Sequence, residues 1–219
     1  MGNISSEVSI PSGPVTLEGL LQVPDAARGV VVFSHGSGSG RNSPRNQYVA
    51  AELARASLAT LLLDLLTPEE ERDYEVRFDI ALLSERLADA VRHVRSASAT
   101  HGLLVGLFGA STGAASALRV AAEMPGVIAA VVSRGGRPDL AGNQLLPLVQ
   151  APTLLVVGGE DHEVIRLNRA AERWLQCRKD LVIVPGATHL FEEPGTLEQV
   201  AALARRWFSD HLTPIPLQP

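Results

Sequence analysis

The sequence predicts an α/β fold, with a mostly parallel central sheet, an antiparallel hairpin at its N-terminal edge and helices on both faces. Three observations carry this reading. Six short runs rich in Val, Leu and Ile, at 29–34, 59–64, 103–108, 127–133, 153–158 and 180–184, are bounded by Gly, Pro or Asp and lack polar alternation. Strands buried on both faces read this way. Stretches with helical spacing lie between the runs, which implies βαβ units and so a parallel sheet covered on both sides. The segment 8–23 precedes the alternation, and its Val15, Leu17, Leu20 and Leu21 suit an antiparallel hairpin at one edge.

The helices follow in order. Segment 48–57 is Ala-rich and amphipathic, and 79–96 sets Ile80, Leu83, Leu87, Ala90, Val91 and Val94 along one face. Segment 112–124 is almost entirely small or apolar and is expected to be a buried helix. Segments 164–176 (Ile165, Leu167, Trp174) and 196–211 (Leu197, Val200, Leu203, Trp207) complete the set. Residues 66–78, with Pro68 and the charge run at 69–72, read as an exposed loop, a short lid being the alternative. Residues 1–14 read as an N-terminal extension and 15–219 as a single domain, without repeat, low-complexity tract or linker.

Bulk properties narrow the function. A chain of 219 residues suits one domain with a sizeable core. The net charge of -5 gives no electrostatic reason to expect nucleic acid or an anionic membrane as partner. A single cysteine, Cys177, excludes an intrachain disulfide. The polar N-terminus lacks the pattern of a signal peptide, and no apolar run is long enough to span a bilayer, so a cytoplasmic location is expected.

The most informative segment runs from the strand 103–108 into Gly109-Ala110-Ser111-Thr112-Gly113 and then a helix of small residues. A serine on a sharp strand-to-helix turn sits in strained backbone with its hydroxyl projecting above the sheet. The glycines two positions either side avoid bulk, and the new helix points N–H groups and the positive end of its dipole at the site. Ser111 is therefore the candidate nucleophile.

A serine hydroxyl needs a base within reach. Of six histidines, His189 follows the last strand and falls in a loop at the C-terminal edge of the sheet, where ligands collect in open α/β folds. The orienting acid is expected after the strand 153–158, in Gly158-Gly159-Glu160-Asp161-His162-Glu163. Asp161, at the loop tip, is the candidate, with Glu160 and Glu163 as rivals that could serve only the helix N-terminus. The glycine-rich loop His35-Gly36-Ser37-Gly38-Ser39-Gly40 follows the strand 29–34. It suggests an oxyanion hole built from the N–H groups of Ser37 and Thr112. A nucleotide loop is the rival, but neither the spacing nor a following Lys-Ser/Thr fits. His35 is expected to steady this loop rather than act as a base, and is also a candidate substrate-binding residue. Arg41, Arg45 and Arg134 fall in loops near the same edge and could clamp a substrate carboxylate, or simply pair with loop carboxylates.

Together the His-Gly at 35–36, the elbow at 109–113, the Gly-Gly-Glu-Asp at 158–161 and the Ala-Thr-His at 187–189 resemble the α/β-hydrolase superfamily. The opening Pro14-Val15-Thr16-Leu17-Glu18-Gly19-Leu20-Leu21 and the small size resemble its dienelactone-hydrolase-like branch, over roughly residues 15 to 210. The resemblance implies the α/β-hydrolase fold, with a central sheet of the eight-stranded type, and metal-free hydrolysis. This chain departs from dienelactone hydrolases proper, which carry a cysteine at the elbow, at Ser111; Cys177 is no substitute, and the departure counts against dienelactone itself as substrate. The stretches 34–45 and 132–138 resemble dienelactone-hydrolase-like proteins, some fused to phosphoribosyltransferase domains, a companionship that fixes no substrate.

The expected reaction is acyl transfer to water from a small ester or lactone, an anionic one if an arginine clamps it, through an acyl-enzyme on Ser111, without cofactor or metal. Amide hydrolysis, or transfer to another acceptor, uses the same residues. A non-catalytic binding protein of the same fold would be expected to lack one of the three.

Overall fold

The computed structural model describes residues 4–213. Eight strands form one sheet in the order β1-β2-β4-β3-β5-β6-β7-β8. They are β1 (Ile4–Ser12), β2 (Val15–Val23), β3 (Gly29–Ser34), β4 (Leu58–Leu63), β5 (Leu104–Ala110), β6 (Ile128–Arg134), β7 (Thr153–Gly158) and β8 (Lys179–Val184). From β4 to β8 every neighbouring pair is parallel; β1 pairs antiparallel with β2, and β2 antiparallel with β4. The five helices are α1 (Pro44–Ala54), α2 (Ile80–Ser96), α3 (Thr112–Glu123), α4 (His162–Trp174) and α5 (Thr196–His211).

The apolar runs become strands because both faces are covered. Every residue of β3, β4 and β7 is buried. One core lies under α2 and α3 with Leu61, Leu107, Leu118 and Leu155; the other lies under α1 and α5 with Phe33, Phe108, Val132, Phe191 and Phe208. As its small-residue composition requires, α3 is buried along most of its length.

The structure differs from the sequence expectations at element ends. The edge hairpin starts at Ile4 rather than residue 8, so most of the supposed N-terminal extension is a sheet strand, Ile4 pairing with Val23 and Ser12 with Val15. Residues 1–3 and 214–219 of the expected extension and domain lie outside the described residues. Helix α1 starts at Pro44, not 48: the Ser43 side chain accepts from the Asn46 N–H and proline occupies the first turn, a start that needs no apolar residue. The loop 66–78 contains two short 3-10 turns and is tied down. Buried Arg86 of α2 holds Glu70 bidentately at 2.6 and 2.7 Å and also donates to the Leu65 carbonyl. Among the described residues, no helix is long and apolar enough to cross a membrane.

Candidate active site

The C-terminal ends of β3, β5, β6, β7 and β8 lie along one edge of the sheet, and the loops leaving them build the site. Strand β5 turns into α3 at Ser111, whose φ of 52° and ψ of -122° are strained for a residue with a side chain. Packing enforces the turn. A Cβ on Gly113 would stand 2.1 Å from the Ser34 carbonyl oxygen, and one on Gly109 would stand 2.4 Å from the Ala114 Cα. Ser111 occupies the N-cap of α3 but makes no capping bond. Its Oγ instead meets Nε2 of His189 at 3.3 Å, and Nδ1 of His189 meets Asp161 Oδ2 at 2.6 Å. The contact to Asp161 fixes the ring so that Nδ1 carries the proton and Nε2 faces the hydroxyl as acceptor.

Backbone bonds hold the three loops in register. The Ser111 N–H donates to the Arg134 carbonyl and the Arg137 N–H to the Ser111 carbonyl, at 3.2 and 3.0 Å. The Glu160 N–H reaches the Ala187 carbonyl at 2.9 Å, coupling the acid loop to the histidine loop. Behind His189, Glu193 accepts from both the Thr188 N–H and hydroxyl, while Phe191 is buried with a φ of 56°. Neither rival acid reaches the ring: Glu160 is exposed, and Glu163 pairs with Arg166.

The other expected residues divide. The Ser37 and Thr112 segments do meet, but the Ser37 N–H donates to the Thr112 hydroxyl at 3.1 Å, so that hydroxyl must turn away before the Ser37 N–H can serve an oxyanion. His35 is a correction. It is 4% exposed, its Nδ1 donates to the Gly36 carbonyl and its Nε2 accepts from the Leu65 N–H, so neither nitrogen is left for a substrate. Burial holds its pKa below 6.5. Arg41 turns to Asp64, which also accepts from the Arg41 N–H, and so closes its own loop. Arg45 pairs with Glu192 at 3.1 Å. Arg134 is 7% exposed and hydrogen bonds to no carboxylate among the described residues.

The sequence reading did not single out Thr112 Oγ1, Glu193, Asp64 or Glu71, whose carboxylate accepts from the Gly38 N–H at 2.7 Å. Thr112, Asp64 and Glu71 act through loop-to-loop bonds, for which spacing along the chain gives no signal, whereas Glu193 braces its own loop through Thr188. A groove of about 350 Å3 lined by Ile4, Gln22, Pro24, Ala51 and Arg55 contains none of the site residues.

Several known proteins resemble this chain in sequence and fold. A dienelactone hydrolase from Anabaena variabilis is 54% identical, with a TM-score of 0.93 over 97% of this chain and 100% of that one. Est1E from Butyrivibrio proteoclasticus, 16% identical, shares the fold with a TM-score of 0.81 over 94% of this chain and 98% of its own. A Mycobacterium tuberculosis (strain H37Rv) protein carrying the name "Putative phosphoribosyl transferase" is 57% identical over 206 residues, 94% of this chain and 46% of its own length. The chain thus spans about half the length of the curated relatives it matches. The family model described as "Dienelactone hydrolase family" matches residues 17–212, and the chain belongs to that family.

Proposed function

We propose that this protein is a serine hydrolase that cleaves a small ester or lactone through an acyl-enzyme. The observation carrying this reading is the hydrogen-bonded row Ser111–His189–Asp161 on a strained turn. His189 takes the proton of Ser111 as the hydroxyl attacks the carbonyl, and Asp161 keeps the imidazole in the correct tautomer and stabilises its cation. The N–H of Thr112, in the first turn of α3, and that of Ser37, once the Thr112 hydroxyl rotates, receive the oxyanion. His189 then protonates the leaving group, and water repeats the sequence on the acyl-enzyme. Ser111 stands where dienelactone hydrolases proper carry cysteine; its higher pKa makes it depend on His189 for deprotonation.

A panel of 4-nitrophenyl esters, lactones and anilides tests the reading. Turnover of esters or lactones, abolished in Ser111→Ala, is the expected result. Turnover confined to amides would replace it with an amidase, and inertness toward all three would overturn it.

A further inference from the structure

Residues 134–137 leave β6 and touch two of the three residues of the Ser111–His189–Asp161 row. The Arg134 carbonyl accepts from the Ser111 N–H, and the Arg137 N–H donates to the Ser111 carbonyl. Gly135 lies against the His189 ring: at its φ of 51°, a Cβ would stand 3.1 Å from the His189 carbonyl oxygen and 3.6 Å from Cε1 and Nδ1 of the ring. Gly136 is pressed closer still, a Cβ there standing 2.0 Å from Ser133 Oγ and 2.5 Å from the Ala114 Cβ in the first turn of α3. The Gly135 N–H anchors the segment to β7 through the Val156 carbonyl, at 2.8 Å.

The third residue of the row is reached from α4. Asp161 is the N-cap of this helix, and its side chain bonds His189 instead of capping. Asn168 lies on the same helix about two turns further on. It is fully enclosed, and its Nδ2 donates to the Val164 carbonyl, one turn back, at 2.8 Å and to the Gly136 carbonyl at 2.9 Å. The Gly136 carbonyl and the Arg137 N–H belong to one planar peptide unit. That unit therefore accepts from Asn168 through its oxygen and donates to Ser111 through its nitrogen, and the first bond polarises the second.

Stability gains little from the amide. Asn168 Oδ1 is enclosed without a hydrogen-bond partner among the described residues, and burying an unpaired polar atom is destabilising. An apolar side chain of the same size would remove that cost and forgo the bond to Gly136, two effects of opposite sign. What the amide alone supplies is a directed link between α4 and the segment that holds the nucleophile.

We propose that Asn168 is a positioning residue: through the Gly136–Arg137 peptide it fixes the helix that begins at Asp161 relative to Ser111 and His189. This deepens the hydrolase reading and rests on it. Small displacements of reacting groups are costly in rate, so a link of this kind acts on kcat without touching substrate.

Two variants of the full chain test it. Asn168→Leu keeps the bulk and loses both bonds. Asn168→Ser is too short to reach Gly136, while its hydroxyl can still bond the Val164 carbonyl four residues back. Both are expected to lower kcat for 4-nitrophenyl butyrate, and the rate of fluorophosphonate labelling of Ser111, on the order of tenfold to a hundredfold. KM should stay within about twofold, since no substrate contact is removed. The urea midpoint should stay close to that of the wild type. The proton on His189 Nδ1, bonded to Asp161, should broaden or shift in the proton NMR spectrum of either variant.

Unchanged kcat and labelling in a folded variant overturn the proposal. So does a loss of kcat that only follows the loss of folded protein, or the failure of both variants to fold, because either result assigns Asn168 to the fold alone. A wild type that turns over esters beside unaffected variants sinks the positioning role and leaves the hydrolase reading. A wild type inert toward esters and label sinks the hydrolase reading, and the NMR signal then still reports whether Asn168 sets the His189–Asp161 geometry.

Discussion

Asp161 touches no substrate in the proposed mechanism, yet much of the chemistry depends on it. Its 2.6 Å bond to Nδ1 decides which nitrogen of His189 faces Ser111. An amide in its place would stabilise the wrong tautomer. Asp161→Asn is expected to lower kcat on the order of a thousandfold or more, with little change in KM, whereas Glu160→Gln, one position away and exposed, should leave kcat within about threefold. Equal effects in steady-state kinetics would remove Asp161 from its assigned role. His35 works differently, through stability. Burial depresses its folded pKa below 6.5, so the folded state takes up a proton less readily than the unfolded chain. Its contribution is complete above 6.5 and is lost as the pH falls below that value. Urea midpoints measured from pH 7.5 to 5.5 should therefore drop in the wild type and drop less in His35→Gln. Parallel slopes would show that His35 does not couple protonation to folding.

At the scale of elements, the elbow and the 66–78 loop bear the sharpest tests. The close approach of α3 to the end of β3 leaves no room for a methyl group at residue 113. Gly113→Ala should destabilise by about 3 kcal/mol, the upper range for an inserted methylene in a packed site, read as a lower urea midpoint. A neutral outcome would mean that the turn is not held as described. Glu70 is drawn from 4.5 to about 2, chiefly by its bond to Arg86. Its contribution is full above 4.5 and fades as the pH falls toward 2. Because the partner Arg86 is 4% exposed, Glu70→Gln strands a buried cation and should cost about 2–3 kcal/mol at neutral pH. The variant should also lose part of the wild type's acid sensitivity in urea unfolding. The elements themselves were largely legible: β3, β7 and α5 begin and end where the sequence reading placed them. The misplaced ends have local causes. The first turn of α1 is polar, being set by Ser43 and Pro44, and the outer strand β1 carries too many exposed polar residues for burial to mark it.

Across the whole molecule, loops after β5, β7 and β8 bring residues 111, 161 and 189 to one edge of the sheet, and the elbow glycines together with positions just past two strand ends were enough to nominate them. What distinguishes one arginine from another was not legible. Arg41, Arg45 and Arg134 are equivalent by position in the sequence, and only the fold pairs the first with Asp64, the second with Glu192, and leaves the third enclosed with no carboxylate bonded to it among the described residues. For His35 the steadying of its own loop was legible, whereas the bond from the Leu65 N–H, which takes up its second nitrogen, was not. The most direct measurement of the central claim is active-site labelling with a fluorophosphonate, followed by peptide mass spectrometry. The account predicts one adduct, on Ser111, absent in Ser111→Ala and slowed by orders of magnitude in His189→Gln. A wild-type protein that takes no label, or one that takes it at an unchanged rate without His189, would contradict it.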